Sequence, residues 1–195
     1  MKKITLSIII LFFINFEAFG HVKHYEKLNY LEYELFRNDK SIGYHKYNFI
    51  RKNDILTIES EVNFKITKLG VDLYKYFATS EEKYKKDEFL AFSSKTNQNK
   101  KERYVNINSN IKDKDLDIDG SSYKGKANKD FIVGTWWNHE IVDASAQISA
   151  VSGRIIEQKV QFIGKEEVKI GEKTYKTLRF NFSSSDPSLS KDKKL

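Results

Sequence analysis

Apolar and polar side chains alternate with a period of two along most of the chain from about residue 28. In "ILTIESEVNFKIT", Leu56, Ile58, Val62, Phe64 and Ile66 fall on one side; Thr57, Glu59, Glu61, Asn63 and Lys65 fall on the other. That is the pattern of a strand with one face buried and one face wet. "LNYLEYELF" sets Leu31, Tyr33 and Leu35 against Glu32 and Glu34, and "KTLRFNFSS" sets Leu178, Phe180 and Phe182 against Thr177, Arg179 and Asn181. In "LGVDLYKYFATSEEKY", Tyr74, Tyr76, Ala78 and Ser80 share one face and Val71, Leu73 and Phe77 the other, so apolar groups lie on both sides.

Turn chemistry separates these runs at short intervals. "RNDKSIG", "RKNDI", "KKDEF", "QNKKE", "DIDGSS", "VSGR" and "KIGEK" contain the Asn, Asp and Gly residues that accept left-handed backbone. Strands joined by so few residues pair antiparallel, because a parallel return needs a crossover of about a dozen residues or more. Only "TWWNHEIVDASA" reads as helix, a few turns at most, with Thr135 as its cap. The expected fold is all-β: one strongly curved antiparallel meander sheet of about eight to ten strands. It is half-barrel to barrel-like, with one short helical insertion near Trp136–Ala146.

Residues 1–20 stand apart. "MKKITLSIIILFFINFEAFG" has Lys2 and Lys3, an apolar run from Ile4 to about Ile14, and the small residues Ala18 and Gly20 at signal-peptidase spacing. The run is shorter than the roughly 20 residues of a membrane anchor. This predicts a signal peptide cleaved near Gly20 and a periplasmic or secreted product with no integral membrane span. A flexible mature N-terminus at 21–27 then leads into a single β domain at 28–195. The absence of cysteine excludes disulfides, thiolate metal sites and a cysteine nucleophile.

The net charge of +7 becomes +6 once Lys2, Lys3 and Glu17 leave with the signal. Its lysines are interleaved with acids rather than gathered in a stripe, which argues against a nucleic-acid partner. The C-terminal "SSSDPSLSKDKKL" follows an apolar strand. Two readings are open: Leu28–Phe36 pairs with that strand and closes the sheet, or a final strand or hairpin is missing.

The hairpin "LEYELFRNDKSIGYHKYNF" resembles a "Y-x-V-x-R-D-G-x-x-I-G" opening, and "GTWWNHEIVDASAQISAVSGRI" resembles an "S-x-W-N" segment. Both belong to the pattern of domain-of-unknown-function family 6134, over most of Leu28 to Phe182. The resemblance implies a secreted β-rich domain and brings no established activity. It also implies a further strand with Trp-Tyr-Asp beyond Phe182, which this chain lacks.

Candidate chemistry centres on Trp136, Trp137, Asn138 and His139. One tryptophan is expected to plug the sheet while Asn138 ties the turn. The functional alternative is an exposed indole that lines a cleft with Asn138 and His139. Tyr74 and Tyr76 read first as core packing, as aromatic strand residues commonly do, with an aromatic face for a ligand as the alternative. A copper brace from the His21 amine and imidazole with His24, His45 or His139 is outweighed by a flexible polar tail. No catalytic residue, metal site or cofactor is therefore assigned. The sequence reads as a non-enzymatic domain for a lipid or glycolipid ligand. Its alternatives are a glycan-acting enzyme using His139, Glu140 and Asp143, and a structural partner pairing through an edge strand.

Overall fold

The computed structural model describes residues 25–110 and 115–184. The stretch expected to be a signal peptide, His21, His24 and residues 185–195 lie outside these. Eight strands follow one another as an antiparallel meander. They are β1 (Tyr30–Arg37), β2 (Lys40–Lys52), β3 (Ile55–Lys68), β4 (Val71–Lys85), β5 (Glu88–Gln98), β6 (Lys101–Asn110), β7 (Asp115–Gly120) and β8 (Lys124–Asn128). Two-residue turns join the successive strands from β1 to β6. At Asn38–Asp39, Asn53–Asp54 and Lys86–Asp87 both central residues have positive φ, the geometry whose twist matches paired strands. The expected alternation holds on β3, where Leu56 and Ile58 are buried and Glu59, Asn63 and Lys65 are exposed.

The single-sheet expectation needs correction. A second, four-stranded sheet follows in the order β12-β11-β10-β9. Its members are β9 (Ile132–Val133), β10 (Ala146–Ile148), β11 (Ile155–Ile170) and β12 (Lys173–Ser184). Twelve strands are thus present among the described residues. β9 and β10 are parallel, through Gln147↔Ile132 and Ile148↔Val133. No closure is found: β1 pairs with β2, and β12 with β11. The physical reason is burial. Val133 and Ile148 of the second sheet join Phe92, Val105, Ile107 and Ile118 of the first in one core cluster. Two layers thereby cover each other's apolar faces, so the meander has no need to roll up.

A second cluster holds Tyr47, Phe49, Leu56, Ile58, Tyr84 and Trp137. Tyr25, expected within a flexible 21–27 segment, packs here: its ring stacks on Phe49 at 6.2 Å and meets Trp137 edge-on at 5.1 Å. On β12, Phe180 faces Phe162 and Phe182 faces Trp136, while Leu178 is exposed. A bulge between Phe162 and Gly164 shifts the register and breaks the alternation there.

The expected helix is a single 3-10 turn, His139–Val142. Its cap is Asn138 rather than Thr135. Asn138 Oδ1 accepts from the Glu140 backbone N–H at 3.1 Å, and its Nδ2 donates to Glu140 Oε2 at 2.9 Å. Ala146–Ile148 is drawn into a strand by β11, which leaves too few residues for a longer helix.

Candidate functional site

The site is built around adjacent tryptophans that point apart. Trp136 has φ +66°, a left-handed conformation uncommon for a bulky side chain. Trp137 is thereby directed into the core, 4% exposed, and Trp136 outward, 57% exposed. Trp137 is the plug: its ring meets Tyr25, Phe49 and Tyr84 edge-on at 5.1, 5.7 and 5.8 Å. Its Nε1 donates to Glu82 Oε2 at 2.8 Å.

Glu82 is fully buried on β4, and every polar contact it makes comes from a donor. Thr135 Oγ1 donates to Oε2 at 3.1 Å and the Tyr84 hydroxyl to Oε1 at 2.5 Å. Burial pushes this carboxyl above its ordinary range, against the opposing pull of the Trp137, Tyr84 and Thr135 hydrogen bonds. Thr135, held from one side by Glu82, accepts at its carbonyl from the Tyr47 hydroxyl. The segment carrying Trp136 is thus tied to the sheet floor at two points.

Beside Trp136 lies a cavity of about 350 Å³ between the two sheets. Its floor follows from register. Ser60 pairs with Ser80 and Ser80 with Ser94, forming one row of small side chains across β3, β4 and β5. Val62, Ala78 and Thr96 form the next row. Bulky rows bound them, Ile58–Glu82–Phe92 on one side and Phe64–Tyr76 on the other. Side chains on one face of a strand recur about every 7 Å, so two small rows leave a trench. Trp136, Gln147 and Ala150 face it from the second-sheet side. Phe64 and Tyr76 stack at 5.0 Å with their planes 17° apart.

Polar groups sit at fixed points in this trench. His45 Nε2 lies 2.9 Å from Ser60 Oγ, and Nδ1 lies 3.4 Å from the Tyr47 hydroxyl. Because that hydroxyl spends its proton on the Thr135 carbonyl, its oxygen faces His45 as an acceptor. The imidazole proton is therefore on Nδ1, and Ser60 donates to Nε2. Burial lowers the His45 pKa to about 4, so the ring is a neutral dipole at neutral pH and a weak base. Thr96 Oγ1, also lining the cavity, is buried with no well-formed hydrogen bond among the described residues.

The His45 shift has a measurable consequence. The unfolded chain binds a proton at His45 below about pH 6.5 and the folded chain only near pH 4. Stability is therefore expected to fall as pH drops through that window. Glu82, whose pKa is raised, works in the opposite direction there. Urea melts of the wild type and His45→Gln across pH 4–7 isolate the effect, since the wild type should lose stability relative to the variant as pH falls through this range.

The candidates singled out from the sequence divide. Trp136 and Tyr76 line the cavity. Tyr74 stands beside it, its hydroxyl accepting from Gln98 Nε2 at 3.2 Å and its ring 5.8 Å from Phe64. Trp137 and Asn138 are buried supports. His139 turns to Tyr25, whose hydroxyl accepts from its backbone N–H at 3.3 Å and lies 3.2 Å from Nδ1. Glu140 and Asp143 line a different cleft, of about 380 Å³, to which His139 does not contribute. The proposed acid–base trio is therefore not assembled around one cavity. Sequence reasoning missed Ser60 and Glu82, and weighed His45 only as a copper ligand. For Glu82 a signal existed: it continues the inward series Tyr74, Tyr76, Ala78, Ser80 on β4.

Fold and site together define a two-sheet all-β domain with an aromatic-roofed cleft. The chain belongs to the family described as Domain of unknown function (DUF6134), which it matches over residues 33–194. Neither a curated protein nor a solved structure is significantly similar to it.

Proposed function

We propose that this is an exported, non-enzymatic binding domain whose inter-sheet cleft holds a small neutral amphiphile, such as a lipid-like or glycolipid fragment. The observation that carries the reading is the trench of small side chains roofed by Trp136, whose backbone is held in a conformation that bulky residues rarely adopt. A volume near 350 Å³ falls within the range of about 300–1,000 Å³ typical of small-molecule sites. Phe64, Tyr76, Val62 and Trp136 would cover an apolar body, while His45, Thr96 and Gln147 would meet a hydrogen-bonding head. The cleft is lined by no lysine or arginine among the described residues, which favours an uncharged head over an anionic one.

Export is supported by the N-terminal signal pattern. Among the described residues, no helix is long and apolar enough to cross a membrane.

The test uses the neutral fluorescent amphiphile N-phenyl-1-naphthylamine. Ala78→Leu puts a larger side chain in the trench floor and should weaken probe binding at least about tenfold, as a lost apolar contact of this size implies. Trp136→Ala should weaken it too. Unchanged binding in Ala78→Leu, with a wild-type melting temperature, would place the probe elsewhere and remove the support for this cleft.

A further inference from the structure

The β3–β4 turn departs from its neighbours. The other two-residue turns between β1 and β6 carry Asn, Asp or Lys at both central positions: Asn38–Asp39, Asn53–Asp54, Lys86–Asp87 and Asn99–Lys100. Here the pair is Leu69–Gly70. Leu69 adopts φ +50°, a conformation that Asn tolerates far better, and it is 95% exposed. Neither turn geometry nor packing within the chain explains a leucine at this point. Val71 and Leu73 follow it, 61% and 55% exposed.

The turn also reaches well past the neighbouring β5–β6 hairpin. Pairing between β2 and β3 stops at Gly43↔Phe64, and that between β4 and β5 at Tyr76↔Gln98. One further pair of contacts links Lys75 to Asn99. Lys65–Tyr74 is therefore a two-stranded ribbon that runs well beyond the end of β5, while on its other side the β1–β2 hairpin continues unpaired with it as far as Asn38–Asp39.

The charge around this ribbon is predominantly positive. Lys65, Lys68 and Lys75 accompany a single acid, Asp72, which Lys65 and Lys75 approach at 3.6 and 2.9 Å. In an up-and-down meander the β1–β2 and β5–β6 turns lie at the same end. They add Arg37, Lys40, Lys100 and Lys101 against Asp39 and Glu102. Apolar side chains at a projecting tip, ringed by excess cations, complement a surface with an oily interior and anionic headgroups.

We infer that the β3–β4 tip docks this protein on an anionic phospholipid surface, with Leu69, Val71 and Leu73 entering the acyl boundary and the surrounding lysines facing lipid phosphates. The tip and the inter-sheet cleft are carried by different residues, so failure of the cleft reading leaves this inference standing.

The experiment is co-sedimentation of the full processed chain with two kinds of vesicle, phosphatidylcholine alone and phosphatidylcholine with phosphatidylglycerol. Binding is expected to the second and to weaken in high salt. Leu69→Asn creates an Asn-Gly turn that suits the backbone, so its melting temperature should hold or rise. Its partition coefficient should nevertheless fall about tenfold through the lost apolar insertion. Lys68→Gln should lower it about fivefold. Absence of binding to the anionic vesicles, or equal binding by Leu69→Asn, overturns the inference. So does a dimer without vesicles that becomes monomeric in Leu69→Asn, which would assign the tip to a second copy of the chain.

Discussion

Trp137→Ala is expected to destabilise the fold by about 3–5 kcal/mol, the range for truncating a buried large aromatic residue. Two effects add. The indole fills the space between Tyr25, Phe49 and Tyr84, and these rings cannot close a void of that size without moving the strands that carry them. Its Nε1 also donates to the buried Glu82, so truncation removes a hydrogen bond from an acid that no water reaches. Against a usual domain stability of about 5–15 kcal/mol, this single change removes a large share. Trp137→Phe separates the effects: it keeps most ring contacts and loses the donor, and should fall between wild type and alanine. Urea denaturation followed by circular dichroism measures all three. A loss below about 1 kcal/mol for the alanine variant would show that Trp137 is not the plug of this cluster.

By contrast, Trp136→Ala should scarcely alter stability, since its ring is more than half exposed and meets Phe182 alone among the aromatic contacts. The adjacent indoles thus divide the work: one fixes the segment to the sheet and its neighbour roofs the cleft. That division depends on the left-handed backbone at Trp136. A period-two or a helical reading of "TWWNH" has no means of seeing such a residue.

Strand identity was legible wherever one face is wet. Leu56 and Ile58 against Glu59, and Asn-Asp at two positive-φ turns of the meander, carry their signals locally. The second sheet was not. β9 and β10 contribute two and three paired residues, too few to show any period, and their parallel pairing brings Ile132 beside Gln147 across fifteen positions. The Leu69–Gly70 turn escaped notice because a leucine hides turn chemistry. The trench was invisible for another reason. Ser60, Ser80 and Ser94 are unremarkable on their own strands and become a row only once pairing register is known. Asn138 as the tie of the turn was readable from residue type, because a buried amide after a tryptophan pair needs partners nearby.

Glu82→Ala should be nearly as damaging as loss of Trp137, by about 3–5 kcal/mol, because it leaves the Trp137 and Tyr84 donors buried without acceptors. Glu82→Gln is the more informative change. Burial raises the folded-state pKa of Glu82, and the nearby Glu140 charge adds to the shift, while Trp137, Tyr84 and Thr135 oppose it. Between the unfolded value of about 4.5 and the raised folded value, the folded protein holds a proton that the unfolded chain has released. Stability from this group is therefore fully present below about pH 4.5 and is lost as pH rises through the folded pKa. Glutamine mimics the protonated acid and has no proton to lose. Its oxygen can still accept from Trp137 and Thr135, while the Tyr84 hydroxyl reverses to accept from the amide. Glu82→Gln should thus flatten the decline of stability with rising pH and narrow its gap from wild type on the alkaline side. Urea melts of both proteins at matched pH values, run with Glu82→Ala as the reference for lost hydrogen bonding, measure that gap. Parallel curves for wild type and Glu82→Gln would mean that the carboxyl is ionised throughout, its three donors outweighing burial.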